Sequence, residues 1–241
     1  FFLGMIHAYG LWFGDILVGY ALCGLLLYPL RKLRPVWLIT IGLVVFFVAA
    51  VLNTGFGALL SWMQREASQA QALLDAGQPV SDSQKGWIEG WANSHSSLNP
   101  GVVQIEAEVQ ARRGDYLSNF RFNAGLAALF QTLLFVLWTF WRGLGLMLIG
   151  MALAKLGFFT AKLSTRTYAI TAIAGYALGL PIIALAATQL IARHDDIGYI
   201  AGIGSQFNYC VSLLLALGHA SVVMPICKHG LVPAINARLA A

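Results

Sequence analysis

Residues 36–60 form a run of 25 positions without a single charged side chain. As a helix that run would be about 37 Å long, more than the ~30 Å of hydrocarbon in a bilayer. It is apolar on every side, so it has no wet face with which to sit on a soluble core. Uncharged stretches recur at 168–191 and 200–226, and 122–159 is as apolar apart from Arg142 and Lys155. Charged residues make up only 10% of the 241-residue chain, where an ordinary soluble domain has about 25%. That is too little charge to coat a globule of this size. The pattern predicts an all-α protein, a polytopic transmembrane helix bundle with one polar extramembrane segment of ~55 residues.

Where the charges fall divides the chain into three segments. Residues 1–61 read as apolar helices, with a helix–break–helix at 12–15 and a basic loop at 31–35 containing Arg31, Lys32 and Arg34. Pro35 suits the first position of the helix that follows. Residues 62–120 are the polar segment, with turn signals such as Gly77-Gln78-Pro79 and Asn99-Pro100-Gly101. Helical character is expected there over 64–76 and 102–113. Trp87, Ile88 and Trp91 predict that this segment folds back on the bundle or the bilayer surface. Residues 121–241 hold about three crossings, kinked near Gly179 and Pro181, with 232–241 leading into a further segment. Within them 122–159 has room for two short crossings. One long crossing is preferred, because it keeps Lys162 and Arg166 with the other basic loops.

Residues 64–121 carry five basic and seven acidic side chains, and the remainder ten basic and three acidic. By the positive-inside rule, loops 31–35, 160–167 and 227–241 are expected in the cytoplasm and 62–120 outside it. Such a dispersed basic excess matches a lipid bilayer as partner and excludes nucleic acid. Cys23, Cys210 and Cys227 lack metal-ligand spacing and read as packing residues. His194, Asp195 and Asp196 are expected to be solvated, so no metal site is assigned.

The sharpest chemistry lies near the start of the chain, where His7 and Asp15 sit in an apolar run. An ionisable group in such a run costs about 2.5–3.5 kcal/mol to insert and marks a functional candidate. If the chain bends at Trp12-Phe13-Gly14, the two can meet as a catalytic base and the carboxylate that orients it. The plainer alternative has Asp15 capping the next helix and His7 bonding a backbone carbonyl. Arg142 falls at membrane depth, there to bind a carboxylate, a phosphate or a coenzyme A pyrophosphate, or to snorkel outward. Gln206, Asn208 and His219 share one apolar helix and are expected to find partners inside the bundle. The candidate substrate- and donor-binding set is Arg142, Tyr20, Trp12, Asn208 and His219. A phosphate loop, a nucleophile elbow, a Cys-x-x-Cys pair and a His-Glu-x-x-His helix are all absent from the sequence.

Gly4-x-x-His7-Ala8 followed by Trp12-x-Gly14-Asp15-Ile16-Leu17-x-x-Tyr20-Ala21-Leu22-x-Gly24 resembles the YeiB-like family of bacterial inner-membrane proteins. Gly114-Asp115-Tyr116-Leu117 supports the likeness. So does Gly145-Leu146-Met147-Leu148-Ile149-Gly150-Met151-Ala152-x-x-x-Leu156-Gly157, and the likeness covers nearly the whole chain. The family's N-terminal Arg-Gly-x-Ala-Leu-Leu-Gly-like motif and its C-terminal Gly-Arg-Met-Ala-Leu-Thr-Asn-Tyr-like segment are not in this sequence. The resemblance therefore implies the central part of a longer bacterial inner-membrane protein. It also implies a distant similarity to the transmembrane acyltransferases that include heparan-α-glucosaminide N-acetyltransferase, with part of any active site outside this chain.

Three functions are carried forward. The first is a membrane-embedded acyltransferase-like enzyme with His7 and Asp15 as catalytic pair. It would have no permanently bound cofactor, acyl-CoA or another thioester as donor, and a small-molecule, lipid or glycan acceptor. The second is a transporter or permease for a small molecule. The third is a non-catalytic membrane scaffold.

Overall fold

A computed structural model describes residues 1–230, all of them in helices or the turns between helices, with no strand among them. The expected lead-in at 232–241 lies outside the described residues. In chain order the helices are α1 (Phe2–Gly10), α2 (Leu17–Leu30), α3 (Pro35–Asp75), α4 (Asp82–Leu98), α5 (Val102–Arg113), α6 (Tyr116–Leu129), α7 (Phe140–Lys155), α8 (Thr165–Ala192), α9 (Ile197–Tyr199) and α10 (Ser205–His229). A wider, π-helical stretch, Phe130–Thr139, joins α6 to α7 without a break, and a second, Ile200–Gly204, joins α9 to α10. Four rods are thus long and apolar enough to cross a membrane: Pro35–Asp75, Tyr116–Lys155, Thr165–Ala192 and Ile197–His229. α2 is apolar too, but its 14 residues extend only about 21 Å.

Pro35 occupies the first turn of α3, where its missing N–H costs nothing, and Arg34 before it is extended. α3 runs unbroken through position 62, so the polar segment begins as the upper part of that helix. Ser81 then starts α4 with a capping box, its hydroxyl accepting from the Gln84 amide while the Gln84 side chain accepts from the Ser81 amide. α4 folds back along α3, and Trp87 meets Trp62 edge-on at 4.7 Å. α5 buries no residue and packs against α6.

Many buried positions in the bundle are small and many large apolar side chains point outward, although Phe46, Tyr168, Tyr209, Leu38 and Leu148 are fully buried. Ala49, Ala127, Ala152 and Ala186 are buried, while Val44, Phe47, Val51, Val136, Ile173 and Leu178 are exposed. Close approach through small residues is how helices pack in lipid. α3 crosses α7 at Gly42 and Gly145, each close to the other's backbone carbonyl. α8 crosses α10 at Gly175, which faces Gly218 and the Leu214 carbonyl. Higher on α3, Gly57 lies against the backbone of Gly198 and Gly202, where the second π-helical stretch departs from helical geometry (Gly202 φ −93°, ψ −107°).

One end of the bundle is basic. The Lys155 ammonium donates to the carbonyls of Arg31 and Leu33, closing the end of α7 onto the α2–α3 turn. Lys228 likewise donates to the Leu163 carbonyl at 2.7 Å, and His229 meets Thr165 at 2.9 Å. At the opposite end Asp115 caps α6, accepting from the Ser118 hydroxyl and the Ser118 amide. These bonds, the hydroxyl's first, hold the Asp115 carboxyl below its ordinary pKa. A group depressed by folding stabilises above its unfolded value and loses that contribution as pH falls through its folded one. Protection of the Ser118 amide from hydrogen exchange is therefore expected to weaken as pH drops below about 4, and Asp115→Ala to remove that dependence.

A candidate active-site wall along helix α2

The wall starts where α1 stops. The His7 carbonyl accepts from both the Leu11 and Trp12 amides, at 3.0 and 2.9 Å, and turns the chain back on itself. Gly4, one turn before His7, touches the N-terminus of α2. A Cβ there would stand 2.9 Å from the Val18 amide nitrogen. With no side chain at Gly4, α2 can approach α1 closely enough for the helices' polar groups to meet. His7 Nδ1 then lies 3.0 Å from Asp15 Oδ1, while Asp15 Oδ2 accepts from the Val18 amide at 2.9 Å. The two readings of Asp15 as helix cap and as partner of His7 are both realised, one on each carboxylate oxygen.

Asymmetry in exposure gives this pair its chemical sense. The Asp15 side chain is 1% exposed and the His7 side chain 39%. In the neutral imidazole a carboxylate facing Nδ1 favours the proton on that nitrogen, which leaves Nε2 as the acceptor. Trp12 stands edge-on to the imidazole, centroids 6.4 Å apart, and its indole folds over Gly14, where a Cβ would collide with it.

Residues beyond the opening stretch brace this turn. Tyr116 donates its hydroxyl to the Gly10 carbonyl at 3.0 Å, tying α6 to the end of α1. Phe13 packs on Phe130 at 5.3 Å, and the Arg112 guanidinium lies over the rings of Phe13 and Phe122. Arg112 and the Tyr116 anchor were not in the candidate set. Tyr116 does stand in the quoted Gly114-Asp115-Tyr116-Leu117 motif, which was the one available signal for it.

Five residues after Asp15, about 7.5 Å along α2, Tyr20 reaches a groove of about 280 Å³ that Trp138, Thr139, Arg142, Gly143 and Leu146 also line. Arg142 donates to the Ser212 hydroxyl at 2.8 Å and lies 4.9 Å over the Tyr209 ring. Tyr209 is fully buried, stacked on Phe46 at 4.4 Å, and donates to the Phe46 carbonyl at 2.7 Å. Arg142, half-buried on α7, is therefore held against α10 by Ser212 and Tyr209. The groove is at the small end of ligand sites, with room for a headgroup rather than for a whole nucleotide.

Asn208 and His219 do not join this wall, and the expectation of partners deep in the bundle fails for both. Both are exposed on the outer faces of α10, because the register that turns Tyr209 and Ser212 inward turns their neighbours out. His219 satisfies itself on its own helix, Nδ1 meeting the Leu215 carbonyl, and packs edge-on to Tyr176 at 5.2 Å. Gln206 stays half-buried, bonded to the Gly202 carbonyl and the Ser205 hydroxyl. In the outer turn His194 pairs with Asp195 at 3.1 Å in solvent, and Asp196 caps α9.

Set against known proteins, the chain matches no family model, no curated protein and no solved structure.

Proposed function

We propose that the chain is part of a bacterial inner-membrane protein of the YeiB-like type, acting as a membrane-embedded acyltransferase. Support for the membrane comes from four long apolar rods that cross closely at glycines and carry many large apolar side chains on their outer faces. The basic end, with Arg31, Lys155 and Lys228, is then cytoplasmic, and the end bearing α4, α5 and the His7–Asp15 pair is extracytoplasmic.

One observation carries the catalytic part: an accessible histidine oriented by a buried, doubly bonded carboxylate. His7 Nε2 takes the proton of an acceptor hydroxyl or amine as that atom attacks the carbonyl carbon of a thioester. The carbon–sulfur bond breaks, and the imidazolium returns the proton to the departing thiolate. Asp15 fixes the tautomer and steadies the imidazolium, while Arg142 meets an anionic group of the donor or acceptor.

The test is thioester cleavage and acyl transfer by the purified full-length protein in nanodiscs, read as release of free thiol and acylated acceptor. His7→Ala is expected to lower the rate by about 10²–10⁴-fold without loss of helicity. Unchanged turnover in that variant would overturn the assignment.

A transporter is the second reading, favoured by two π-helical stretches and the backbone break at Gly202, features found where membrane helices rearrange. Substrate uptake into proteoliposomes without any acyl donor would select it.

A further inference from the structure

Two cavities share Trp138 as a wall. One is the groove at Arg142 and Tyr20; the other, of about 410 Å³, is lined by Leu52, Phe56, Leu133, Leu137, Ala201 and the same tryptophan. Both π-helical stretches supply walls to this second cavity, and its lining is almost wholly hydrocarbon, with Asn53 and Ser205 the exceptions. Those two are already occupied: Asn53 donates to the Ala49 carbonyl and Ser205 to the Gly202 carbonyl. Little polar surface therefore faces this cavity.

The groove is its electrostatic opposite. Tyr209, over which Arg142 lies, is bonded to Phe46, eleven residues after Pro35. With Pro35 taken as the start of the crossing, as in the membrane placement proposed above, the guanidinium stands about 16 Å into a hydrocarbon core of ~30 Å. A guanidinium has five N–H donors, and one hydrogen bond, to the neutral Ser212, is formed here. Among the described residues no carboxylate pairs with it. A positive charge at that depth, with donors to spare and an adjoining hydrocarbon cavity, fits a ligand that has one anionic end and one alkyl tail.

We propose that the two cavities form one binding site for a long-chain alkyl anion, its carboxylate or phosphate head on Arg142 and its chain past Trp138 among the leucines. This rests on the membrane placement proposed above and not on catalysis at His7. The ligand class it names is an acyl or alkyl chain already dissolved in the bilayer, delivered laterally.

Binding is tested on the full-length protein in nanodiscs with hexadecanoate, hexadecyl phosphate, hexadecanol and acetate as competitors of a fluorescent fatty acid. Hexadecanoate and hexadecyl phosphate are expected to compete, with hexadecanol and acetate at least about tenfold weaker. A fatty acid drawn from the bilayer and a phosphorylated lipid are told apart by which of the first two binds more tightly. Arg142→Gln is expected to bring hexadecanoate down to the hexadecanol level, and Arg142→Lys to keep most of the difference. Ala201→Phe, which fills the apolar cavity, should weaken both long-chain anions about tenfold.

Equal competition by hexadecanol and hexadecanoate on the unaltered protein would overturn the proposal even if the arginine variants failed to fold. So would binding indifferent to both Arg142→Gln and Ala201→Phe. His7→Ala is expected to leave hexadecanoate binding as it is, so loss of acyl transfer and loss of chain binding can be told apart.

Discussion

Replacing Gly145 by leucine is expected to separate α3 from α7 and prevent this bundle from forming. A Cβ at Gly145 would lie 2.8 Å from the Gly42 carbonyl oxygen and 2.9 Å from the Phe46 backbone nitrogen. Its neighbours are backbone, so no rotamer change can make room, and overpacking of this kind costs about 1–3 kcal/mol or more. The damage spreads beyond one contact. The α3–α7 crossing seats Phe46, Phe46 holds Tyr209, and Tyr209 carries the Arg142 guanidinium. Unfolding in detergent with rising denaturant measures the loss. Gly150→Ala is the control, since a Cβ there meets nothing within 4 Å and a helix-interior alanine should stabilise by about 0.5–1 kcal/mol. If Gly145→Leu unfolded at the same denaturant concentration as that control, the crossing described here would be wrong.

Asp15→Asn is expected to remove most of the acyl transfer proposed above while leaving the fold in place, and Asp15→Ala to impair both. Asparagine caps a helix about as well as aspartate, so the bond from the Val18 amide persists. It can, however, offer His7 an amide N–H. The imidazole would then turn Nδ1 into the acceptor and place its proton on Nε2, the nitrogen that must be free to act as base. Loss of the correct tautomer in a carboxylate–histidine pair costs about 10⁴-fold in the serine-protease case. Alanine removes the cap as well, at about 1 kcal/mol. Transfer rate and thermal stability measured together separate the two effects. Equal rates for Asp15→Asn and the unaltered protein would leave Asp15 as a helix cap alone.

A helix cap and an oriented base need the same residue type at the same place, which is why the sequence leaves the role of Asp15 open. The His7–Asp15 contact depends on a bend that residues 11–14 permit without dictating, and on Gly4 letting α2 come close. A glycine in an apolar run reads only as a small residue until its neighbour is known. Arg142 shows the same limit. Its place inside an apolar stretch is read from the sequence, but Tyr209 and Ser212, 67 and 70 positions away, are chosen by the rotation of α10. That rotation also turned Asn208 and His219 outward, because one polar position on an apolar helix does not say which side packs.

The linear sequence by itself determined the class of architecture. Uncharged runs longer than a bilayer is thick permit almost nothing except long apolar helices, because every backbone polar group in such a run must be satisfied within it. It determined the basic end as well, since charge is a property of composition and not of packing. Tertiary structure alone decided which polar groups meet. Helices in an apolar medium gain little from one rotation over another until backbones touch, and the touching points here are glycines: Gly4 at Val18, Gly42 at Gly145, Gly57 at Gly202. Those contacts set the register, and the register brought His7 to Asp15 and Arg142 to its groove.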